Sequence, residues 1–308
     1  MTLLARAADD VYLFTYFIGN GEDGLHLAWS EDGYHWAAVN EGKSFLAPEI
    51  GHKEKLMRDP CVVRGPDGVY HMVWTSGWRE AGIGYASTRD FVTWTPQREI
   101  PVMGHEPAVL NCWAPEIVFD DAKAEFVIFW ASTVTGAFPE TAGASEKAYN
   151  HRMYATTTRD FETFSPTRLF YEPGFSVIDA TFLRRPDGRL TWIIKDESVN
   201  PPKKHLRMAA AESWQGPFGE LGAPFTPDGV WVEGPTAVEI GEEILVYFDA
   251  YQVRRYGAMR SRDDGRTWTD VSAEMHFPFE GTKERMRHGT VIKVARALVE
   301  NLDNPKVR

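Results

Sequence analysis

The chain has 308 residues and a formal net charge of −11 at pH 7, from 33 lysines and arginines against 44 aspartates and glutamates. We expect neither nucleic acid nor an anionic membrane as a partner, because both attract cationic surfaces. A hydrophobic fraction of 43% excludes a disordered chain and predicts a globular protein with a large core.

The N-terminal residues and the two cysteines help to predict the cellular compartment of the protein. The apolar stretch within residues 1–10 is too short for a signal-peptide core, and no later run approaches a membrane span. Cys61 and Cys112 form no Cys-x-x-Cys metal or redox motif, and we expect both to be buried packing residues. We therefore expect a cytoplasmic protein, or a periplasmic or secreted one if a leader has been removed.

Four β-hairpins follow one another at regular spacing, after strands in the segment 10–45. Each begins with an acidic residue and an apolar strand, and several turn through Asp-Gly, as at Pro66-Asp67-Gly68. The hairpins begin near residues 59, 116, 179 and 233. A third strand and a charged turn come after each hairpin, so every repeat predicts the four antiparallel strands of a propeller blade.

The charged turns share one phrase: a small or hydroxyl residue, then charged residues, then an aromatic residue. Its five copies end at Trp36, Trp94, Phe164, Phe218 and Trp268. Residues 261–268 fit best, and they resemble the sialidase-type Asp box, which is a folding turn. We therefore assign these phrases a structural role.

The two ends of the chain complete a fifth blade. Residues 10–45 supply its outer strands and residues 287–294 its inner strand, so pairing of the ends removes the free sheet edge. We predict an all-β, five-bladed propeller with four-stranded antiparallel blades as a single domain over residues 1–308. A β-sandwich would explain neither the count of five nor the regular phase.

The repeat phase predicts a ring of polar side chains at one end of the channel. The first strand of every propeller blade lines the channel, and these strands run in the same direction, so residues at one phase converge. The phase position holds Asp59, Glu116, Asp179, Glu233 and His288. The second strands return to the same face with Trp74 and Lys195, and the long loop 133–150 overhangs it.

Acids surrounded by aromatic residues suit a carbohydrate substrate. Aromatic rings stack on the C–H faces of sugars, and carboxylates accept their hydroxyl groups. Glycoside hydrolysis needs one protonated carboxyl at the leaving oxygen and one ionised carboxyl at the water or the anomeric carbon. Crowded carboxylates raise one another's pKa, which keeps one of them protonated near neutral pH.

Five motifs in order resemble the blade starts of glycoside hydrolase family 43, a family of five-bladed propellers. They are Met57-Arg58-Asp59-Pro60, Cys112-Trp113-Ala114-Pro115-Glu116, Val177-Ile178-Asp179-Ala180-Thr181-Phe182, Glu233-Gly234-Pro235 and Arg287-His288-Gly289. The likeness spans roughly residues 55–294. Two features depart from the family pattern: about fifty residues precede Asp59, and the third motif has Asp-Ala where Asp-Pro is common.

This resemblance implies an inverting hydrolase of α-L-arabinofuranosyl, then β-D-galactofuranosyl or β-D-xylosyl linkages. By motif, Asp59 would be the general base, Glu233 the general acid and Asp179 the residue that adjusts the pKa of that acid. His288 matches a channel histidine that in some members neighbours a calcium ion, although a hydrogen-bonded histidine fits it equally well. No other cofactor is implied. We expect the substrate, a terminal sugar of an oligosaccharide or polysaccharide side chain, to contact Arg58, Trp74, Trp113, Glu116, Lys195 and His288.

Other functions stay open at this point. Family 32 and 68 fructosidases share Arg-Asp-Pro, but their upstream Asn-Asp-Pro-Asn-Gly motif is absent here. Family 130 phosphorylases are five-bladed and use phosphate instead of water. A propeller that binds sugar without turnover is the alternative from another class, and it would not need an acid at the leaving oxygen. The sugar, the linkage and the oligomeric state stay open as well.

Overall fold

The computed structural model describes residues 10–303 and forms five antiparallel sheets arranged as a five-bladed β-propeller, as predicted. The strands are β1 (Asp10–Tyr16), β2 (His26–Ser30), β3 (Ala37–Ala38), β4 (Arg58–Arg64), β5 (Tyr70–Thr75), β6 (Ile83–Thr88), β7 (Arg98–Ile100), β8 (Trp113–Asp120), β9 (Glu125–Ser132), β10 (Arg152–Thr158), β11 (Arg168–Tyr171), β12 (Val177–Arg184), β13 (Leu190–Asp196), β14 (His205–Ala211), β15 (Glu233–Ile240), β16 (Glu243–Ala250), β17 (Arg255–Ser261), β18 (Thr269–Asp270) and β19 (Thr290–Ala295). The helical segments are α1 (Arg296–Leu302) and the short 3₁₀ turns Val39–Gly42, Pro139–Thr141 and Glu146–Ala148. No helix within residues 10–303 is long and apolar enough to cross a membrane.

The first blade joins the two ends of the chain. Its strand order is β19-β1-β2-β3, and β19 pairs antiparallel with β1 from Asp10 opposite Ala295 to Thr15 opposite Thr290. The prediction that residues 10–45 and 287–294 share a blade is therefore confirmed. His288 lies two residues before β19, so the pairing also places this residue in the channel.

The fourth blade differs from the other four at its outer edge. Its ladder holds three strands, β12, β13 and β14, and the place of an outer strand is taken by a single bridge between Ala211 and Phe218. Pro217 lies within this segment and has no N–H for a ladder bond. The backbone still follows the edge, because the N–H of Gly219 donates to the carbonyl of Ala210 over 2.8 Å.

The repeated charged phrase is a turn, as predicted. In residues 261–268 a carboxylate oxygen of Asp263 accepts the backbone N–H of Thr267 at 2.9 Å, and the hydroxyl of Ser261 accepts that of Gly265 at 2.9 Å. The indole of Trp268 donates back to the carbonyl of Gly265 at 3.1 Å. These hydrogen bonds join groups within the turn itself, which agrees with a structural role for the phrase.

Each of the inner strands β4, β8, β12 and β15 begins with a β-bulge. Its extra residue has a positive φ: 52° at Asp59, 45° at Ala114, 51° at Asp179 and 60° at Gly234. Glycine is required at position 234, since a Cβ there would lie 2.4 Å from the ring of His288.

The bulges divide the channel side chains into three levels, and the predicted single ring is wrong in this respect. The register pairs Glu233 with Asp249, as Arg58 pairs with Thr75, so Glu233 precedes its bulge. Glu116 follows its bulge and pairs with Phe129. Of the four predicted acids, only Asp59 and Asp179 occupy a bulge position. Glu233 therefore lies one level above these two aspartates, and Glu116 lies one level below them.

Candidate active site

A cavity of about 540 Å³ opens where the inner strands begin. The residues before and within the bulges line it, and so do the loops that follow the second strands. From the inner strands come Arg58, Asp59, Trp113, Ile178, Asp179 and Glu233. From the second strands and the loops after them come Asn20, Thr75, Trp78, Arg79, Glu146, Lys147, Tyr149, His151, Lys195, Glu197 and Tyr251, and Arg287 comes from the segment before β19.

Asp59 is held in its ionised form. The hydroxyl of Thr75 donates to Oδ2 at 2.8 Å, and Nδ1 of His288 lies 3.3 Å from Oδ1. Burial works against the charge, but the hydrogen bond and the charge of His288, together with Arg58, hold the pKa of Asp59 well below its usual range. An ionised carboxylate at the cavity wall can accept a proton from a bound water molecule.

The pKa of Asp179 is shifted in the opposite direction to that of Asp59, although the two residues occupy the same position in their bulges. Its Oδ2 accepts the backbone N–H of Gly234 at 2.9 Å. Burial raises the pKa of Asp179, the charges of His288 and Lys195 oppose that rise, and those of Glu233 and Asp59 add to it. This carboxyl group therefore takes up a proton more readily than Asp59 does.

Glu233 lies between two cations. Nη2 of Arg287 is 2.9 Å from Oε1, and Nζ of Lys195 is 3.3 Å from Oε2. The guanidinium of Arg287 is itself fixed, because its Nε donates to the fully buried carboxylate of Asp249 at 3.0 Å. Lys195 reaches a second carboxylate, that of Glu197, at 2.8 Å. The predicted acid and Lys195 thus meet at the cavity wall.

His288 and Glu116 lie beneath the cavity and do not line it, so the prediction that they contact the sugar is wrong. Burial acts to lower the pKa of His288, but its hydrogen bond to Asp59 and the nearby carboxylates raise it to about 9. Glu116 accepts the hydroxyl of Thr181 at 3.0 Å, and burial raises the pKa of Glu116 to about 7. For Glu116 the bulge in β8 explains why the prediction failed, since it places this residue one level deeper in the channel than a regular strand would.

The channel residues do not fit a calcium ion. Calcium takes six to eight oxygen ligands. Oδ2 of Asp59 and Oδ2 of Asp179 are engaged by Thr75 and Gly234, and Nδ1 of His288 lies 3.3 Å from Oδ1 of Asp59 and 4.0 Å from Oδ2 of Asp179. Within residues 10–303, no group of three metal-binding side chains is gathered at this place. We assign no step of the reaction to a metal ion.

Trp74 does not contact the cavity, and its assignment to substrate binding is wrong. Its side chain is fully buried and packs on Gly84 of the neighbouring strand, where a Cβ would lie 2.0 Å from the indole. Its side chain therefore points into the core between blades. Trp78, four residues later in the loop after β5, lines the cavity instead. Gly77 lies between the two tryptophans and is typical of a strand end, so the sequence could have indicated that Trp78 belongs to the loop after β5.

An aromatic wall forms on the side of Asp59. Trp113 meets Trp78 edge to face with ring centroids 5.4 Å apart. The guanidinium of Arg58 lies between two rings, 4.7 Å from the centroid of Phe17 and 4.5 Å from that of Trp78. Arg58 and Trp113 are therefore placed at the cavity as predicted.

The loop 133–150 forms part of the wall, as predicted. It contributes Glu146, Lys147 and Tyr149. The loop is fixed from within, because the side-chain amide of Asn150 donates to the carbonyl of Phe138 at 2.9 Å. Sequence reasoning did not single out Tyr149, Glu197 or Arg287 as lining residues, and of these only Arg287 belongs to a recognised motif.

A family model identifies the family, and one curated relative shares part of the sequence. The model of a family related to glycoside hydrolase family 43, described as a probable glycosyl hydrolase domain, matches residues 9–300. An α-L-arabinofuranosidase of Bifidobacterium longum subsp. longum is 24% identical over 218 aligned positions, which cover 62% of this chain and 20% of that protein. The chain thus spans about a fifth of the length of this curated relative.

Solved structures of similar fold include an α-L-arabinofuranosidase of Lactobacillus brevis, with a TM-score of 0.54, 15% identity, and coverage of 70% of this chain and 72% of that chain. An arabinanase of Bacillus subtilis has a TM-score of 0.53, 14% identity, and coverage of 79% and 82%. An exo-β-1,3-galactanase of Clostridium thermocellum has a TM-score of 0.55, 12% identity, and coverage of 72% and 50%. At these identities the likeness shows the fold alone. Because the family model covers nearly the whole chain, the protein belongs to this family of probable glycosyl hydrolase domains, which is related to glycoside hydrolase family 43.

Proposed function

We propose that this protein is an inverting, exo-acting glycosidase that removes a terminal furanosyl or xylosyl residue, with α-L-arabinofuranose as the first candidate. The observation that carries the proposal is the ionised Asp59 in one cavity with Glu233, supported from below by His288. The relative from Bifidobacterium longum, named an α-L-arabinofuranosidase, supports the choice of sugar.

In the proposed reaction Asp59 takes a proton from a water molecule while that water attacks the anomeric carbon. Glu233 gives its proton to the leaving oxygen, so that the glycosidic bond breaks as the new C–O bond forms. Arg287 and Lys195 then stabilise the carboxylate that remains on Glu233. Asp179 accepts the backbone N–H of Gly234, the residue that follows Glu233, at 2.9 Å and so helps to orient the acid, which is the role that the family resemblance implies for it.

Inversion requires space for the water. In inverting glycosidases the two carboxyl groups lie about 6.5–9.5 Å apart, against about 5–5.5 Å in retaining ones. The anomeric form of the first product, measured by proton NMR, tests this assignment. We expect inversion, and a product of retained configuration would overturn the role of Asp59 as a base and favour a fructosidase-like nucleophile.

The loop 133–150 supports exo action. Because it forms one wall of the cavity, a terminal sugar can enter where a continuous chain would have to pass the loop. We expect arabinose, galactose or xylose as the first product from nitrophenyl glycosides and from branched polysaccharides, separated by chromatography. Release of oligosaccharides without monosaccharide would contradict exo action.

A phosphorylase is the second candidate, and Arg58 is the observation that favours it. This arginine is buried beside Asp59, donates to the side-chain oxygen of Asn20 at 3.0 Å, and has no carboxylate within ion-pair distance in the described part of the chain. An unpaired guanidinium could bind phosphate. We expect the same rate and products with and without phosphate. A sugar 1-phosphate product would establish phosphorolysis instead.

A further inference from the structure

Three side chains from separate segments meet outside the active-site cavity. They are His52, Glu80 of the loop after β5, and Glu99 of β7. One ligand atom from each lies within 4.8 Å of the others. No other such group of three occurs among the residues that the structure describes.

The two carboxylates are held in place by packing. Glu80 is 5% exposed, and its side chain lies over Gly77, where a Cβ would be 2.9 Å from Cγ of Glu80. The side chain of Glu99 lies over Gly82, where a Cβ would be 2.2 Å from Oε1. A larger residue at either glycine would displace a carboxylate. The glycines therefore leave room for the two acids to approach each other.

The charge of this group is not balanced by the protein. Both carboxylates lack a lysine or arginine within ion-pair distance in residues 10–303. The imidazole of His52 lies with Nδ1 2.5 Å from Oε2 of Glu80, and the backbone N–H of His52 donates to Oε1 of Glu80 at 2.9 Å. A buried carboxylate without a full positive partner is costly. A cation at the centre of the group would supply that charge.

We propose that His52, Glu80 and Glu99 bind a divalent transition-metal ion, with zinc as the best match. One imidazole nitrogen and two carboxylate oxygens are a ligand set that zinc accepts, at about 2.0–2.2 Å from each atom. Two ligands of a tetrahedral ion then lie about 3.4 Å apart, so ligand atoms that are now within 4.8 Å of one another close by at most about 1.4 Å. The exposed ring of His52 rotates and releases its Nδ1 proton to solvent, and a water molecule completes the tetrahedron.

A metal ion at this site would affect the active-site cavity, because one of its ligands lies in a loop that lines the cavity. Glu80 follows Trp78 and Arg79, both of which line the active-site cavity. The loop already bonds to the neighbouring segment, because the backbone N–H of Leu56 donates to the carbonyl of Ser76 at 3.1 Å. A metal ion joining Glu80 to His52 and Glu99 would fix this loop, and with it the aromatic wall.

Zinc titration of the metal-free protein tests the proposal without reference to activity. We expect one zinc ion per chain by calorimetry, and a rise in melting temperature of about 4 °C at a zinc concentration 100-fold above the dissociation constant. Calcium serves as the control ion, since it prefers six or more oxygen ligands. His52→Gln and Glu99→Gln should each lose the zinc response. Both should keep the fold, because His52 is exposed and glutamine has the same shape as Glu99.

His35→Gln is the matched control variant. His35 is another exposed imidazole beside a carboxylate, with Nδ1 2.8 Å from Oδ2 of Asp32, but it belongs to no group of three. This variant should respond to zinc as the parent protein does. Equal zinc responses in the parent, His52→Gln and Glu99→Gln, no response in the parent, or an equal response to calcium would each overturn the proposal.

Discussion

Asp59 and Asp179 occupy the same bulge of two inner strands, with φ values of 52° and 51°, and both are largely buried at the cavity. Their surroundings differ: Asp59 faces the protonated ring of His288 and the hydroxyl of Thr75, whereas Asp179 faces the backbone N–H of Gly234 and the charge of Glu233. The pKa is lowered for one and raised for the other. The repeated bulge therefore determines the position of each aspartate, and side chains from other blades determine its protonation state.

Replacing each aspartate by asparagine should separate the two roles most strongly. We expect Asp59→Asn to lower kcat about 10³-fold, within the range of general-base catalysis, because no group then activates water. Asp179→Asn should lower it about tenfold, since its uncharged form is partly mimicked by the amide. Steady-state kinetics with a nitrophenyl glycoside measures both. Asp67→Asn, in an exposed turn of the same blade, is the control, and a larger loss for Asp179→Asn would reverse the comparison.

Removal of the acid should depend on the leaving group. Glu233→Ala should lower kcat about 10²–10³-fold on a substrate with a poor leaving group and far less on a dinitrophenyl glycoside, which needs little protonation. Asp59→Ala should show no such rescue. A non-catalytic sugar-binding propeller would instead show no turnover in the parent protein and unchanged sugar affinity in Glu233→Gln.

The deeper carboxyl should affect stability rather than turnover. The pKa of Glu116 is raised from 4.5 to about 7, so the folded state favours its protonated form, and that contribution is present below pH 4.5 and lost as pH rises through 7. Glu116→Gln keeps an acceptor for Thr181 without the charge. We expect it to raise the free energy of unfolding at pH 8 by on the order of 3 kcal/mol relative to the parent, and much less at pH 5. Urea unfolding at the two pH values measures this, and an equal effect at both would contradict it.

His288→Asn should reduce the contrast between the two aspartates. Without the imidazolium, the pKa of Asp59 rises, so the acidic limb of the kcat/KM profile should move to higher pH by about one unit or more. The pH–rate profile of the variant measures the shift. An unchanged acidic limb would mean that His288 does not set the charge of Asp59.

The blade count, the first blade and the presence of Asp59, Asp179 and Glu233 at the cavity could be predicted from the sequence, because each follows from periodicity or motif order. The level of each acid could not. A bulge adds one residue without changing the alternation pattern, so Glu116 and Glu233 seemed level with Asp59. Trp74 was misplaced for a similar reason, since its direction depends on Gly84 across the sheet. The loop residues Tyr149 and Glu197 were not singled out, because no repeat constrains loops.

The pairing of β19 with β1 ties activity to the order of folding. Its contacts join residues about 275 positions apart, as between Thr15 and Thr290, and contacts so distant in sequence are expected to form late. His288 reaches Asp59 only when this pairing is made. A molecule with four finished blades and an open first blade would thus hold every cavity acid and still lack the charged base. We infer that this enzyme gains its competence at the final step of assembly, and that loosening of either chain end abolishes turnover before it unfolds the blades.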